Sequence, residues 1–167
     1  SVEQMRAIER EADGRGVSYT EMMERAGGGV AALVDAEYSE EESRRVIALV
    51  GSGNNGGDAL VALEWLAKAG WHAQAYLVRP RSDKDALLKR ARSAGVEIAA
   101  ADDPDFHVLT AWLQDAVVLL DGVLGTGFQL PLREEIASVL RVVNGFAGDL
   151  HVIAIDCPSG VDCDSGE

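Results

Sequence analysis

The chain has 167 residues, 47% of them apolar and 26% charged, which is enough for one domain with a real core and argues against a disordered chain. Its 15 basic and 28 acidic residues give a formal charge of −13. A chain so acidic repels polyanions, so nucleic acid and anionic membrane surfaces are excluded as partners. The longest apolar run, Ala26–Val34, is too short and too rich in glycine to cross a bilayer, and the charged N-terminus carries no secretory signal, so the chain reads as cytoplasmic. Cys157 and Cys163 are too few for a disulfide framework and their C-x5-C spacing does not suit zinc, which leaves two buried or bystander thiols.

In chain order, Val2–Gly16 predicts an amphipathic helix, with Val2, Met5, Ile8 and Ala12 at helical spacing. A second helix runs from Thr20 to Ala36. Its Met22, Met23, Ala26 and Val30 read as core, and Gly27–Gly29 either let a neighbour pack closely or end the helix locally. Val46–Val50 (VIALV) reads as a strand buried on both faces. Asp58–Ala69 reads as a helix capped near Asp58 and stopped by Gly70. Ala73–Val78 is a second strand. Ser82–Ala94 is a helix capped by Ser82 and ended by Gly95, followed by a short strand at Val96–Ala99. Asp105–Gln114 reads as helix and Val117–Leu120 (VVLL) as strand. Pro131 opens a helix reaching Val143, and Val152–Ile155 (VIAI) is the last strand.

Strands that alternate with helices predict right-handed βαβ units and a mostly parallel sheet covered on both faces. Ligands of such sheets bind beyond the carboxyl ends of the strands. The first strand leads into Gly51-Ser52-Gly53-Asn54-Asn55-Gly56-Gly57-Asp58, which contains G-x-G-x-x-G between a strand and a helix. Glycines let the backbone turn tightly and approach a phosphate. In a dinucleotide fold an acid about 20 residues on would hold the ribose hydroxyls. Here Arg79 stands in that region, either for a 2′-phosphate or as a solvated charge. Asp58 is either an N-cap or an acceptor for ligand hydroxyls.

The later strand ends repeat the pattern. VVLL runs into Asp121-Gly122-Val123-Leu124-Gly125-Thr126-Gly127, and VIAI into Asp156-Cys157-Pro158-Ser159-Gly160. An acid leaving a buried strand with no basic neighbour in sequence needs a partner or a cation; taken alone, Asp121 also reads as a cap. Ser159 is no hydrolase nucleophile, because CPSG is not the G-x-S-x-G elbow and no His follows it. Asn55, Asp121 and Ser159 offer only oxygen ligands, which suit potassium, magnesium or calcium.

GSGNNGGDALV, DGVLGTG and DCPSGVD, in that order, resemble the YjeF N-terminal domain family, and the early MERAG (Met23–Gly27) fits its N-terminal helices. The likeness covers essentially the whole chain. It implies a Rossmann-like three-layer α/β/α sandwich with a mostly parallel sheet. It also implies an epimerase that interconverts the R and S forms of hydrated NADH or NADPH. By that resemblance Asn54, Asn55, Gly56, Gly57, Asp58 and Asp156 contact the substrate. Gly125, Thr126, Gly127, Phe128, Gln129, Leu130 and Pro131 hold its phosphates. A potassium ion is held by Asn55, Asp121 and Ser159. Asp156 is the candidate general acid and base, with Asp58 second. A homodimer and a fused or separate ADP- or ATP-dependent dehydratase are the implied partners.

Two departures stand out. The family usually reads GNNGGDG where this chain has Ala59, and residues 1–167 read as one domain short of its last strands or cut from a longer chain. Two other readings compete. An NAD(P)-dependent oxidoreductase would need a second substrate and a His or Lys in the strand-end motifs, which hold neither. A non-catalytic nucleotide-binding or interaction module would not need the three strand-end aspartates, which are all present.

Overall fold

A computed structural model describes residues 1–100, 102–127, 131–146 and 148–166. Two N-terminal helices, α1 (Val2–Gly14) and α2 (Tyr19–Tyr38), precede the first strand, β1 (Arg45–Val50). The alternation then runs through α3 (Asn54–Lys68), β2 (His72–Leu77), α4 (Ala86–Ser93) and β3 (Glu97–Ala100). It closes with α5 (His107–Asp115), β4 (Val118–Gly122), α6 (Glu134–Asn144) and β5 (His151–Ala154). The strands form one parallel sheet in the order β3-β2-β1-β4-β5. Each crossover is long enough to carry a helix, as parallel pairing requires. The fold is the expected three-layer α/β/α sandwich.

Alternation along β1 builds both interfaces. Val46, Ala48 and Val50 face a core with α2, α3 and α4, whereas Ile47 and Leu49 face a second core with α5 and α6. The expected continuous apolar strand is therefore buried on both sides, at 1% exposure or less over Val46–Val50. Gly27 sets the distance between α2 and α3: a Cβ there would stand 2.6 Å from the Val61 Cβ and 2.7 Å from the Asp58 carbonyl oxygen. Close packing is thus the role of Gly27, and the helix does not end at the glycines. Glu64, buried at 5% exposure, pairs with Lys68 at 2.6 Å and with Arg90 at 2.7 Å, tying α3 to α4.

Several predicted boundaries shift. The helix expected from Asp58 begins at Asn54, with Gly53 at the cap position. Asp58 is not an N-cap but sits in the second turn. The helix expected from Ser82 begins at Ala86, because Asp85 caps it by accepting from the Leu87 and Leu88 amides at 2.9 and 3.3 Å. Ser82 instead accepts from the Lys84 amide in the turn before it. Pro131 does not open α6, which starts at Glu134 behind Arg133. The helix expected over 105–114 is split, since Asp105 and Phe106, inside the short turn Pro104–Phe106, take left-handed backbone just before α5. The amphipathic stripe of α1 buries no residue.

The two cysteines are not separate thiols. The turn closed by the Val161 amide on the Pro158 carbonyl at 3.1 Å brings the chain back on itself, and Cys157 and Cys163 are joined in a disulfide with Cα atoms 6.5 Å apart. No helix among the described residues is long and apolar enough to cross a membrane.

Candidate active site

The strand order places the carboxyl ends of β1, β4 and β5 side by side, and β1 and β4 are neighbours whose following helices lie on opposite faces of the sheet. This is the switch point where open α/β sheets leave a crevice. From β1 the chain turns through Gly51, Ser52 and Gly53 into α3. A Cβ at Gly56 would lie 2.1 Å from the Gly51 carbonyl oxygen, and one at Gly51 would lie 2.1 Å from that of Val123. Glycine is needed at both places for the turn to close against itself and against the end of β4. Arg81, with only 9% of its side chain exposed, holds this turn from outside. Its Nη1 donates to the Gly51 and Gly53 carbonyls at 2.7 and 3.2 Å, while its Nε pairs with Asp85 at 2.7 Å.

Asp121 lies inside β4, not after it, and is buried at 8% exposure with no basic partner among the described residues. Its Oδ1 accepts from the Ser159 hydroxyl at 2.6 Å and the Val123 amide at 3.2 Å, and its Oδ2 from the Ser159 amide at 2.7 Å. The Ser159 hydroxyl also accepts from the Leu124 amide at 3.0 Å. Asp121 and Ser159 therefore stitch the turn after β5 to the end of β4. Asn55 joins them from α3: its Nδ2 donates to the Leu124 carbonyl at 2.8 Å, while its buried Oδ1 has no partner among the described residues. A buried carbonyl oxygen without a donor is costly. With the Asp121 carboxylate and the Ser159 hydroxyl near the same turn, these groups could hold a hard cation only through oxygen.

In front of this wall lies a cavity of about 850 Å³. Ser52, Gly53, Asn54, Asn55 and Asp58 line it from the β1 end, Val123–Gly127 from the β4 end, and Ile155 and Asp156 from the β5 end. Asp156 is fixed by the Thr126 amide, which donates to its Oδ2 at 3.1 Å. The Asp58 carboxyl is pushed up to about 7, first by burial and then by the negative charges of Asp156 and Glu9. Asn54, Asn55, Asp58, Gly125, Thr126, Gly127, Pro131 and Asp156 thus meet in one space. Gly56 and Gly57 do not line it. Gly56 packs on the Gly51 backbone and Gly57 on Met23. Asp121 and Ser159 stand behind the wall, and Phe128, Gln129 and Leu130 lie outside the described residues.

Sequence reasoning missed the roof and one flank. Met5, Arg6 and Glu9 of α1 cover the cavity, with the Arg6 Nη2 3.4 Å from the Thr126 carbonyl. Arg79 and Arg133 line the side near α6. Nothing in the local pattern of a charged, exposed helix marks it as a roof. Three guanidinium groups therefore stand in the same cavity as Glu9, Asp58 and Asp156.

The whole chain can now be set beside known proteins. Residues 19–167 match the family described as YjeF-related protein N-terminus. The chain is 36% identical over 153 residues to the NAD(P)H-hydrate epimerase of Clavibacter sepedonicus, covering 88% of this chain and 64% of that protein. It is also 36% identical over 172 residues to that of Cenarchaeum symbiosum, covering 100% of this chain and 76% of the relative. The bifunctional NAD(P)H-hydrate repair enzyme Nnr of Pyrobaculum aerophilum is 35% identical over 98% of this chain, which spans only 33% of that protein. The crystal structure of the yeast protein ynu0 superposes with a TM-score of 0.88 at 22% identity, over 99% of this chain and 72% of its own, and so shares the fold. Three strand-end motifs in one crevice, the shared fold and a family match over residues 19–167 agree that the chain belongs to the YjeF-related protein N-terminus family.

Proposed function

We propose that this chain is an NAD(P)H-hydrate epimerase, which interconverts the R and S forms of hydrated NADH and NADPH. The observation that carries the reading is the pair Asp58 and Asp156 in one cavity with the glycine-rich turn and the Gly125–Gly127 loop. Epimerising the hydroxylated carbon of the hydrated ring requires loss of the hydroxyl and its return on the other face. The ring nitrogen pushes electrons toward that carbon as the C–O bond breaks, and a carboxyl group protonates the departing hydroxyl to water. The resulting carboxylate takes a proton back as water adds to the opposite face. The two aspartates suit this exchange. Asp156 is oriented by the Thr126 amide, and Asp58, held near neutrality, both gives and takes a proton at pH 7.

Asn55, Asp121 and Ser159 would hold a potassium ion, which would supply positive charge toward an anionic substrate. Gly125, Thr126, Gly127 and the segment through Phe128, Gln129, Leu130 and Pro131 would carry those phosphates, with Arg6 over them. A nicotinamide substrate goes with a cytoplasmic location. A homodimer and a dehydratase that consumes one epimer, fused or separate, belong to the same reading.

The test supplies a mixture of hydrated NADH epimers with a dehydratase specific for one of them. The chain is expected to let the whole pool be consumed, and Asp156→Asn to leave half of it untouched while nucleotide binding persists. Rates in potassium should exceed those in a bulky organic cation. Persistence of the unreactive epimer with the unaltered chain would end the epimerase reading.

A further inference from the structure

Arg79 is the residue of the sequence pattern that the epimerase chemistry leaves unused. It stands just beyond β2, the strand next to β1 in the sheet, and its side chain reaches the cavity. In dinucleotide-binding sheets of this strand order, the position past the end of the second strand faces the adenosine ribose. An acid there accepts from the ribose hydroxyls, whereas an arginine accommodates a 2′-phosphate. A second guanidinium lies on the same side: Arg133, at the cap position of α6, also lines the cavity and forms no ion pair among the described residues. Arg79 has one acidic neighbour, Glu135 at 3.7 Å, whose side chain is 56% exposed. That pair is long and open to water, so it neutralises Arg79 only weakly.

Asp156 and Glu9 act electrostatically on Asp58, and none of these three acids pairs with Arg79 or Arg133 among the described residues. Arg79 and Arg133 thus keep their charge available on the α6 side of the cavity, while Arg6 stands over the Thr126 loop. Fork-shaped guanidinium groups match the oxygens of a phosphomonoester better than those of a neutral ribose.

We propose that Arg79, assisted by Arg133, is a subsite for the 2′-phosphate of the adenosine ribose, so that this chain prefers the phosphorylated dinucleotide hydrate. The inference rests on the dinucleotide reading of the cavity, but its test does not require turnover. Calorimetry at fixed ionic strength compares adenosine 2′,5′-bisphosphate with adenosine 5′-monophosphate, using the unaltered chain, Arg79→Ala and Arg133→Ala. The unaltered chain should bind the bisphosphate at least about tenfold more tightly. Arg79→Ala should bring the two nucleotides to within about twofold of each other, chiefly by weakening the bisphosphate, and Arg133→Ala should remove about half of the preference on a logarithmic scale. Thermal melts of both variants check that they fold, as expected for two partly exposed side chains.

Equal weakening of both nucleotides by Arg79→Ala would assign Arg79 to the pyrophosphate or to the general field and overturn the proposal. So would tighter binding of the monophosphate by the unaltered chain, which would make Glu135 a hydroxyl acceptor. Discrimination that depends on Arg79 in a chain that epimerises neither hydrate would sustain the subsite and remove the epimerase. Epimerisation of both hydrates with no discrimination would do the reverse.

Discussion

Asp58 carries a consequence for stability as well as for chemistry. Its carboxyl titrates near 7 in the folded chain, against 3.8 for an unperturbed aspartate, because burial and the charges of Asp156 and Glu9 disfavour its ionised form. Between these values the folded state holds a proton that the unfolded state has lost, so stability falls as pH rises from about 4 to about 7 and stays low above. Asp58→Asn cannot ionise and escapes that loss. Its melting temperature should match the unaltered chain at pH 4 and exceed it by a few degrees at pH 8; an equal shift at both would show that the folded carboxyl is not held up. The place of Asp58 at the strand-end crevice was legible in the sequence, but its position in the helix was not: the cap expected of it falls at Gly53. A cap depends on where the helix starts, and the start of α3 is set by the Gly51–Gly56 contact, which only the folded turn reveals. Arg81, which clamps that turn, had no signature at all, because its partners are backbone carbonyls.

Elements were legible wherever an apolar period is strong, and their ends were not. The five strands follow from β-favouring apolar runs, and the two-sided burial of β1 follows from its unbroken pattern. At the start of α4, by contrast, Ser82 and Asp85 are both competent caps, and the pairing of Asp85 with Arg81 across the loop accompanies the outcome. The glycines of α2 make the same point experimentally. Gly27 lies against Val61 and the Asp58 carbonyl, whereas a Cβ at Gly29 would meet nothing within 4 Å. Gly27→Ala should therefore cost about 2 kcal/mol through overpacking. Gly29→Ala should gain about 0.5–1 kcal/mol, since alanine favours a helix interior. Urea titrations of the two variants would separate them by sign, and a loss at Gly29 would mean that α2 is packed differently.

At the scale of the molecule, right-handed βαβ units were legible but the strand order was not, because the same units can be added on either side of the first strand. The order decides which loops meet, and it brings the β1, β4 and β5 ends together. The roof was equally illegible: α1 buries no residue and is positioned by sparse contacts, the Val2 amide on Asp164 at 2.9 Å and Arg6 on the Thr126 carbonyl. The net charge of −13 likewise misdescribes the cavity, where arginines from α1, the end of β2 and the cap of α6 gather.

The disulfide links two of these parts. Cys157 follows Asp156 in the cavity wall, and Cys163 precedes Asp164, which anchors the first turn of α1. A single covalent bond thus couples the floor of the cavity to its roof. A dithiol reductant should loosen both at once, so that amide hydrogens of α1 and of residues 158–162 exchange faster together while those of β1 and β4 keep their protection. Unchanged exchange in α1 after complete reduction would show that the roof is held independently. In a reducing compartment the two sulfurs would be open to such exchange, and the roof would then be held by its hydrogen bonds to Asp164 and the Thr126 carbonyl.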